Sequence, residues 1–132
     1  MNLLLDTHVF IWATIDQDSL SEAVKRILQQ TDNELYYSPI MIWEVLILAE
    51  KKRIAISGPT NAVIRQGIHD LALNELPLNT DIAFLSREVS LPHHDPADRF
   101  LVATARYYKM PLLTADNAIL STGSCKTINA VK

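Results

Sequence analysis

The sequence predicts an α/β fold, a mostly parallel sheet with helices on both faces. Three observations predict it. Short apolar runs of strand length alternate along the chain with segments of helical spacing, as successive βαβ units require. No internal repeat, low-complexity tract or linker interrupts that alternation. The 132 residues, 48% hydrophobic and 20% charged, fit one globular domain over 1–132 whose core needs no covalent staples.

The elements follow in order. "NLLLD" at residues 2–6 is an apolar run that reads as a buried strand, with a helix starting near Thr7. Residues 19–30 place Leu20, Ala23, Val24, Ile27 and Leu28 at helical spacing. "ELYYS" at 34–38 is aromatic and strand-like. Residues 39–53 read as a helix with Ser38 as N-cap and Pro39 at the first helical position. A turn at "SGPT" leads to a helix from about Thr60, and "NELPL" follows as a strand. "TDIAFLSREVS" reads as a short helix capped by Thr80. The next helix has Asp95 as N-cap and Pro96 at its first position. "PLLTAD" is a strand, "NAILS" a helical turn and "CKTIN" a last strand.

Composition bounds the function. The one cysteine, Cys125, rules out an intrachain disulfide and points to a reducing compartment. The apolar N-terminus has no leading Lys or Arg and is broken by Asp6 and His8, so it is not a signal peptide. No apolar run reaches the roughly 18 residues of a membrane helix. The expectation is a soluble, cytoplasmic protein. A formal net charge of −3 argues against holding nucleic acid by bulk charge alone. With glycine only at 58, 67 and 123, neither a G-x-G-x-x-G nor a P-loop can be written. There is no G-x-S-x-G elbow, no C-x-x-C and no H-E-x-x-H. Phosphoaspartate chemistry at Asp6 finds little support, because no lysine lies between Lys52 and Lys109 and no acid adjoins Asp6.

Four carboxylates sit where a surface acid would not. In parallel α/β sheets ligands bind beyond the carboxyl ends of the strands. Asp6 ends the first strand and Asp116 follows "PLLT"; each can also serve as a helix cap or turn residue. Glu44 shares its helical face with Ile40, Met41, Ile47 and Leu48, the alternative being an edge position near Lys51. Asp98 shares its face with Leu101, Val102 and Ala105, the alternative being first-turn acidity that suits the helix dipole. Brought together, these acids would repel and shift one another's titration. A hard divalent cation, Mg²⁺ or Mn²⁺, as one or two ions, resolves that conflict, and phosphodiester hydrolysis is the chemistry it serves. Two such ions add four positive charges and move −3 to about +1. Arg87, Arg99, Arg106 and the run Lys51–Lys52–Arg53 could then meet a phosphate backbone, though most read as solvated surface. His93 and His94 offer a metal-free acid–base pair, against a plain polar loop before a helix. His8 stands near Asp6 and either supports it or packs locally, and His69 reads as helix surface.

The segments "LLLDTHVFIW", "SPIMIWEV", "HHDPADRFLVATA" and "LLTAD" resemble, in that order, the motifs of PIN-domain nucleases, and most closely the VapC-like toxins of bacterial toxin–antitoxin modules. The resemblance covers nearly the whole chain. It implies a three-layer α/β/α sandwich, with Asp6, Glu44, Asp98 and Asp116 as the acidic metal-binding and catalytic quartet. It implies an Mg²⁺- or Mn²⁺-dependent endoribonuclease with an RNA substrate, a homodimer, and a cognate antitoxin that blocks the site. Thr7 and Thr114 match positions that often carry a hydroxyl. His93, Asp95 and Arg99 match a subgroup pattern, H-x-D-P-x-D-R, as residues that support the metal ligands or meet substrate. The competing expectation is a non-catalytic PIN-like binding module acting through a partner complex.

Overall fold

The computed structural model describes residues 1–92 and 95–132. His93 and His94, with the acid–base pair expected of them, lie outside the described residues. Five strands form one sheet in the order β3-β2-β1-β4-β5, every neighbouring pair parallel. They are β1 (Asn2–Leu5), β2 (Glu34–Tyr37), β3 (Asn74–Glu75), β4 (Leu112–Thr114) and β5 (Thr127–Asn129). The helices are α1 (Thr7–Ile15), α2 (Glu22–Gln29), α3 (Pro39–Glu50), α4 (Thr60–Asp70), α5 (Thr80–Glu88), α6 (Pro96–Tyr108) and α7 (Asn117–Thr122).

Strand geometry divides the core in two. Successive residues of a strand face opposite sides, so Leu3 and Leu5 of β1 pack on one face and Leu4 on the other. Leu113 and Leu112 of β4 divide in the same way. The first face is covered by α1 through α4, with Val9, Phe10, Val24, Met41, Val45 and Ile64 in its core. The second carries Ile82 of α5, Leu101 and Val102 of α6 and Ile119 of α7. This is the three-layer α/β/α sandwich. Gly67 sets how closely α4 approaches α1: a Cβ there would lie 2.3 Å from Thr14 Cγ2 and 3.1 Å from Phe10 Cζ.

Local signals place most boundaries. Ser38 and Asp95 cap α3 and α6, each with proline at the start of the helix. Two details differ from the sequence reading. Helix α5 is capped by Asn79, whose Oδ1 accepts from Ile82 N at 2.9 Å, and Thr80 is already helical. Asparagine is the better cap of the two and takes the position. The segment at 19–30 is preceded by a 3₁₀ turn at Gln17–Ser19, and α2 starts only after Ser21, whose Oγ accepts from Val24 N at 3.1 Å. No described helix is long and apolar enough to cross a membrane.

The order of strands positions the site. From β1 the chain moves to β2 and β3 on one side, while β4 and β5 lie on the other. The crevice beyond the carboxyl ends of β1 and β4 is therefore a topological switch point, where ligands of such sheets bind.

Candidate metal centre

Asp6 and Asp116 stand at that crevice. β1 ends at Leu5, and Asp6 turns the chain into α1, its Oδ1 accepting from Thr7 N at 2.7 Å. Its Oδ2 accepts from Thr114 Oγ1 at 2.5 Å. Thr114 closes β4, and the same hydroxyl oxygen accepts from Asp116 N at 3.0 Å. Asp116 in turn caps α7, its Oδ1 accepting from Ile119 N at 3.0 Å. One buried threonine thus ties the ends of two adjacent strands and fixes both strand-end acids. The capping duties and a shared acidic site coexist, because each carboxylate has two oxygens and several lone pairs.

Glu44, in the second turn of α3, is half-buried, and Asp98, in the first turn of α6, is buried. Ligand-capable oxygens of Glu44, Asp95 and Asp98 all lie within 4.8 Å of one another. Asp6 and Asp116 do not belong to that tight group but act on it electrostatically. Burial pushes the Asp98 carboxyl up to about 8, and the charges of Asp6, Asp95, Asp116 and Glu44 add to the effect. Burial also raises Glu44; the Thr7 hydroxyl opposes the rise, and Asp95 and Asp6 reinforce it. Asp6 is raised chiefly by burial, against the Thr114 hydrogen bond and the nearby His8. All five acids therefore share one electrostatic neighbourhood, with Asp98 at its centre.

Thr7 adds an observation of a different kind. Its side chain is fully buried, and Oγ1 makes no hydrogen bond of regular geometry with the described residues. It stands close enough to Glu44 to favour the charged carboxylate. The Thr7 hydroxyl thus addresses the Glu44 carboxylate. Among the described residues the clustered donors, from Glu44, Asp95 and Asp98, are all carboxylate oxygens, which suit a hard divalent cation.

The Arg99 guanidinium is buried against the C-terminal end of α5, Nε donating to Ser86 O at 2.8 Å and Nη2 to Val89 O at 2.9 Å and Arg87 O at 3.3 Å. The last carbonyls of a helix lack intrahelical partners, and a planar cationic fork satisfies several at once. Asp95 is the residue whose proximity the sequence understated. Its spacing of three from Asp98 puts both on one face of the first turn of α6, a signal that the obvious capping role conceals.

The family model described as PIN domain matches residues 3–123, a span that includes all five acids. The chain belongs to the PIN-domain family. This PIN domain is 31% identical over 122 residues to Ribonuclease VapC22 of Mycobacterium tuberculosis, covering 90% of each chain. Among solved structures, VapBC2 from Rickettsia felis bound to a DNA fragment from its promoter matches with a TM-score of 0.69 at 15% identity, covering 98% of both chains. A toxin–antitoxin complex from Klebsiella pneumoniae matches with a TM-score of 0.65 at 20% identity, again over 98% of both. These two likenesses bear on the fold, and the PIN domain shares their architecture from end to end.

Proposed function

We propose that this PIN domain is a metal-dependent endoribonuclease acting as the toxin of a toxin–antitoxin pair. The observation that carries the reading is the convergence of acids on Asp98 at the switch point, with its carboxyl held near 8. The similarity to Ribonuclease VapC22 supplies RNA as the substrate class. The likeness to VapBC2 and to the Klebsiella complex supports a cognate antitoxin as partner. A homodimer is part of the same proposal.

Asp6, Glu44, Asp98 and Asp116 would hold the ion, Mg²⁺ or Mn²⁺ by the hardness of the donors. When bound, it supplies Lewis acidity toward a phosphodiester and its attacking water. The protein's own residues prepare the cavity. Thr114 orients Asp6 and the backbone of Asp116, so both carboxylates are held by strand ends rather than by mobile loops. Asp98 must release its proton before it can serve as an anionic ligand. Thr7 keeps a buried hydroxyl beside Glu44. With the carboxylates engaged as ligands, water would be the nucleophile and no covalent enzyme intermediate is required.

Asp6→Asn and Asp98→Asn each replace a charged oxygen by an amide of the same shape. Both are expected to lower RNA cleavage by at least about 100-fold while the circular dichroism spectrum stays unchanged. A variant that keeps full activity removes its residue from the mechanism, and cleavage that persists in EDTA removes the metal.

A further inference from the structure

We propose that His8, backed by Trp12, is a stacking platform at the rim of the acidic crevice, on which a base beside the scissile phosphate of a single-stranded RNA rests. The proposal rests on the metal-dependent nuclease reading and extends it from the phosphate to the base, a part of the substrate that the acids do not address.

Exposure comes first. Helix α1 is wrapped in protein along its length: Thr7, Val9, Phe10, Ile11 and Ala13 are buried, and Trp12, Thr14 and Ile15 are half-buried. His8 is its one exposed residue. That single opening falls two residues after Asp6, and the imidazole stands close enough to Asp6 and Glu44 to favour the charged form of each. The ring is therefore at the mouth of the metal centre and not on a remote face. Trp12 follows one turn on, its ring centroid 6.0 Å from that of His8 and its plane tilted by 53°. Trp12 packs against the core of the first face, which fixes it. Four residues of α-helix rise about 6 Å, so the two rings step away from the acids along the helix.

Neither ring is committed to an internal hydrogen bond. Among the described residues no group hydrogen-bonds the His8 imidazole or the Trp12 indole N–H. The chemistry of the substrate supplies a use for them. Proteins that hold single-stranded RNA stack its bases on aromatic side chains, histidine among them. This crevice has particular need of such a contact. Its carboxylates repel a phosphate backbone, and a formal net charge of −3 supplies no compensating attraction. A lysine or arginine at position 8 would pair with Asp6 and Glu44 and compete with the metal for them. A ring instead meets the face of a base and leaves both carboxylates to the cation.

The test measures steady-state cleavage of a pool of randomised single-stranded RNA by the full chain in Mn²⁺, with Mn²⁺ binding followed by calorimetry. His8→Ala is expected to raise KM roughly 10–100-fold, the loss of one stacked base, with kcat within about threefold and Mn²⁺ affinity unchanged. His8→Phe, which restores a ring without imidazole nitrogens, is expected to recover most of the loss. His8→Gln, which restores hydrogen bonding without a ring, is expected to recover none. An unchanged KM in His8→Ala, a loss confined to kcat, a weakened Mn²⁺ affinity, or recovery by glutamine and not by phenylalanine overturns the platform and leaves the nuclease reading intact. Failure of the wild-type chain to cleave the pool with Mn²⁺ bound overturns the nuclease reading itself, and the platform with it.

Discussion

Asp98 sets the pH behaviour of the metal-free protein. Its carboxyl is raised from 3.8 to about 8 by burial and four neighbouring acids. Between those values the folded chain holds a proton that the unfolded chain does not, so stability must fall as pH rises. The contribution is complete below about 4 and is lost as pH passes through about 8. Glu44 and Asp6 shift in the same direction and add to the slope. The melting temperature of the EDTA-treated protein is therefore expected to drop from pH 5 to pH 8.5, and Asp98→Asn to flatten that drop. Millimolar Mn²⁺ at the upper pH should reverse it, because the ion binds the folded carboxylates and competes with their protons. A melting temperature that rises over this range without metal would show that Asp98 is not held as described. The burial of Glu44 and Asp98 was legible in the sequence because each shares its helical face with apolar residues, against an edge position for the first and first-turn acidity for the second. Asp95 was half-legible, since a cap is an ordinary explanation. The carbonyl partners of Arg99 were not legible in the sequence, because they lie 10 to 13 residues earlier in the chain.

Helices α5 and α6 are joined by that arginine. The C-terminal carbonyls of α5 end under the first turn of α6, the turn that carries Asp95 and Asp98. Arg99 thereby fixes where those two acids stand relative to the second layer of helices. Arg99→Ala leaves buried carbonyl groups of Ser86 and Val89 without these donors and opens the space of the side chain. It is expected to cost about 2–4 kcal/mol in urea denaturation, with Arg99→Lys recovering only part, since an ammonium cannot reproduce the fork. A loss under about 0.5 kcal/mol would mean that α5 is held by packing alone. Elements of this kind were readable wherever a local signal is chemically unambiguous: Ser38–Pro39 and Asp95–Pro96 open α3 and α6 where expected. The sequence was less informative where two adjacent residues can both cap, as at Asn79–Thr80, or where a strand survives as only two residues, as β3 does. In those places the hydrogen-bond geometry of the folded chain decides, and composition does not carry it.

At the scale of the molecule, alternation of strands and helices announced a parallel sheet, but the order of strands had to come from the fold. That order brings Asp6 and Asp116 to adjacent strand ends from positions far apart in the chain. Surface character was less legible still. Helix α3, "PIMIWEVLILAE", is apolar nearly all round, and such a helix belongs in an interior. In the single chain only Met41 and Val45 are buried. Ile42, Leu46 and Leu48 pack against one core cluster and Ile40 against the other. Trp43 and Ile47, one turn apart, belong to neither, and Trp43 is 46% exposed. A tryptophan at the centre of an apolar helix face is what a subunit interface uses as an anchor. The expected homodimer would cover this face and complete the burial that the sequence of α3 implies. Trp43→Ala is accordingly expected to weaken self-association by about 2 kcal/mol, roughly 30-fold in the dimer dissociation constant. Sedimentation equilibrium measures that constant directly. Because Trp43 lies outside both core clusters, the resulting monomer should keep its circular dichroism and its Mn²⁺ binding. An unchanged dissociation constant would move the interface away from α3. A variant that unfolds would instead place Trp43 in the core of the chain itself.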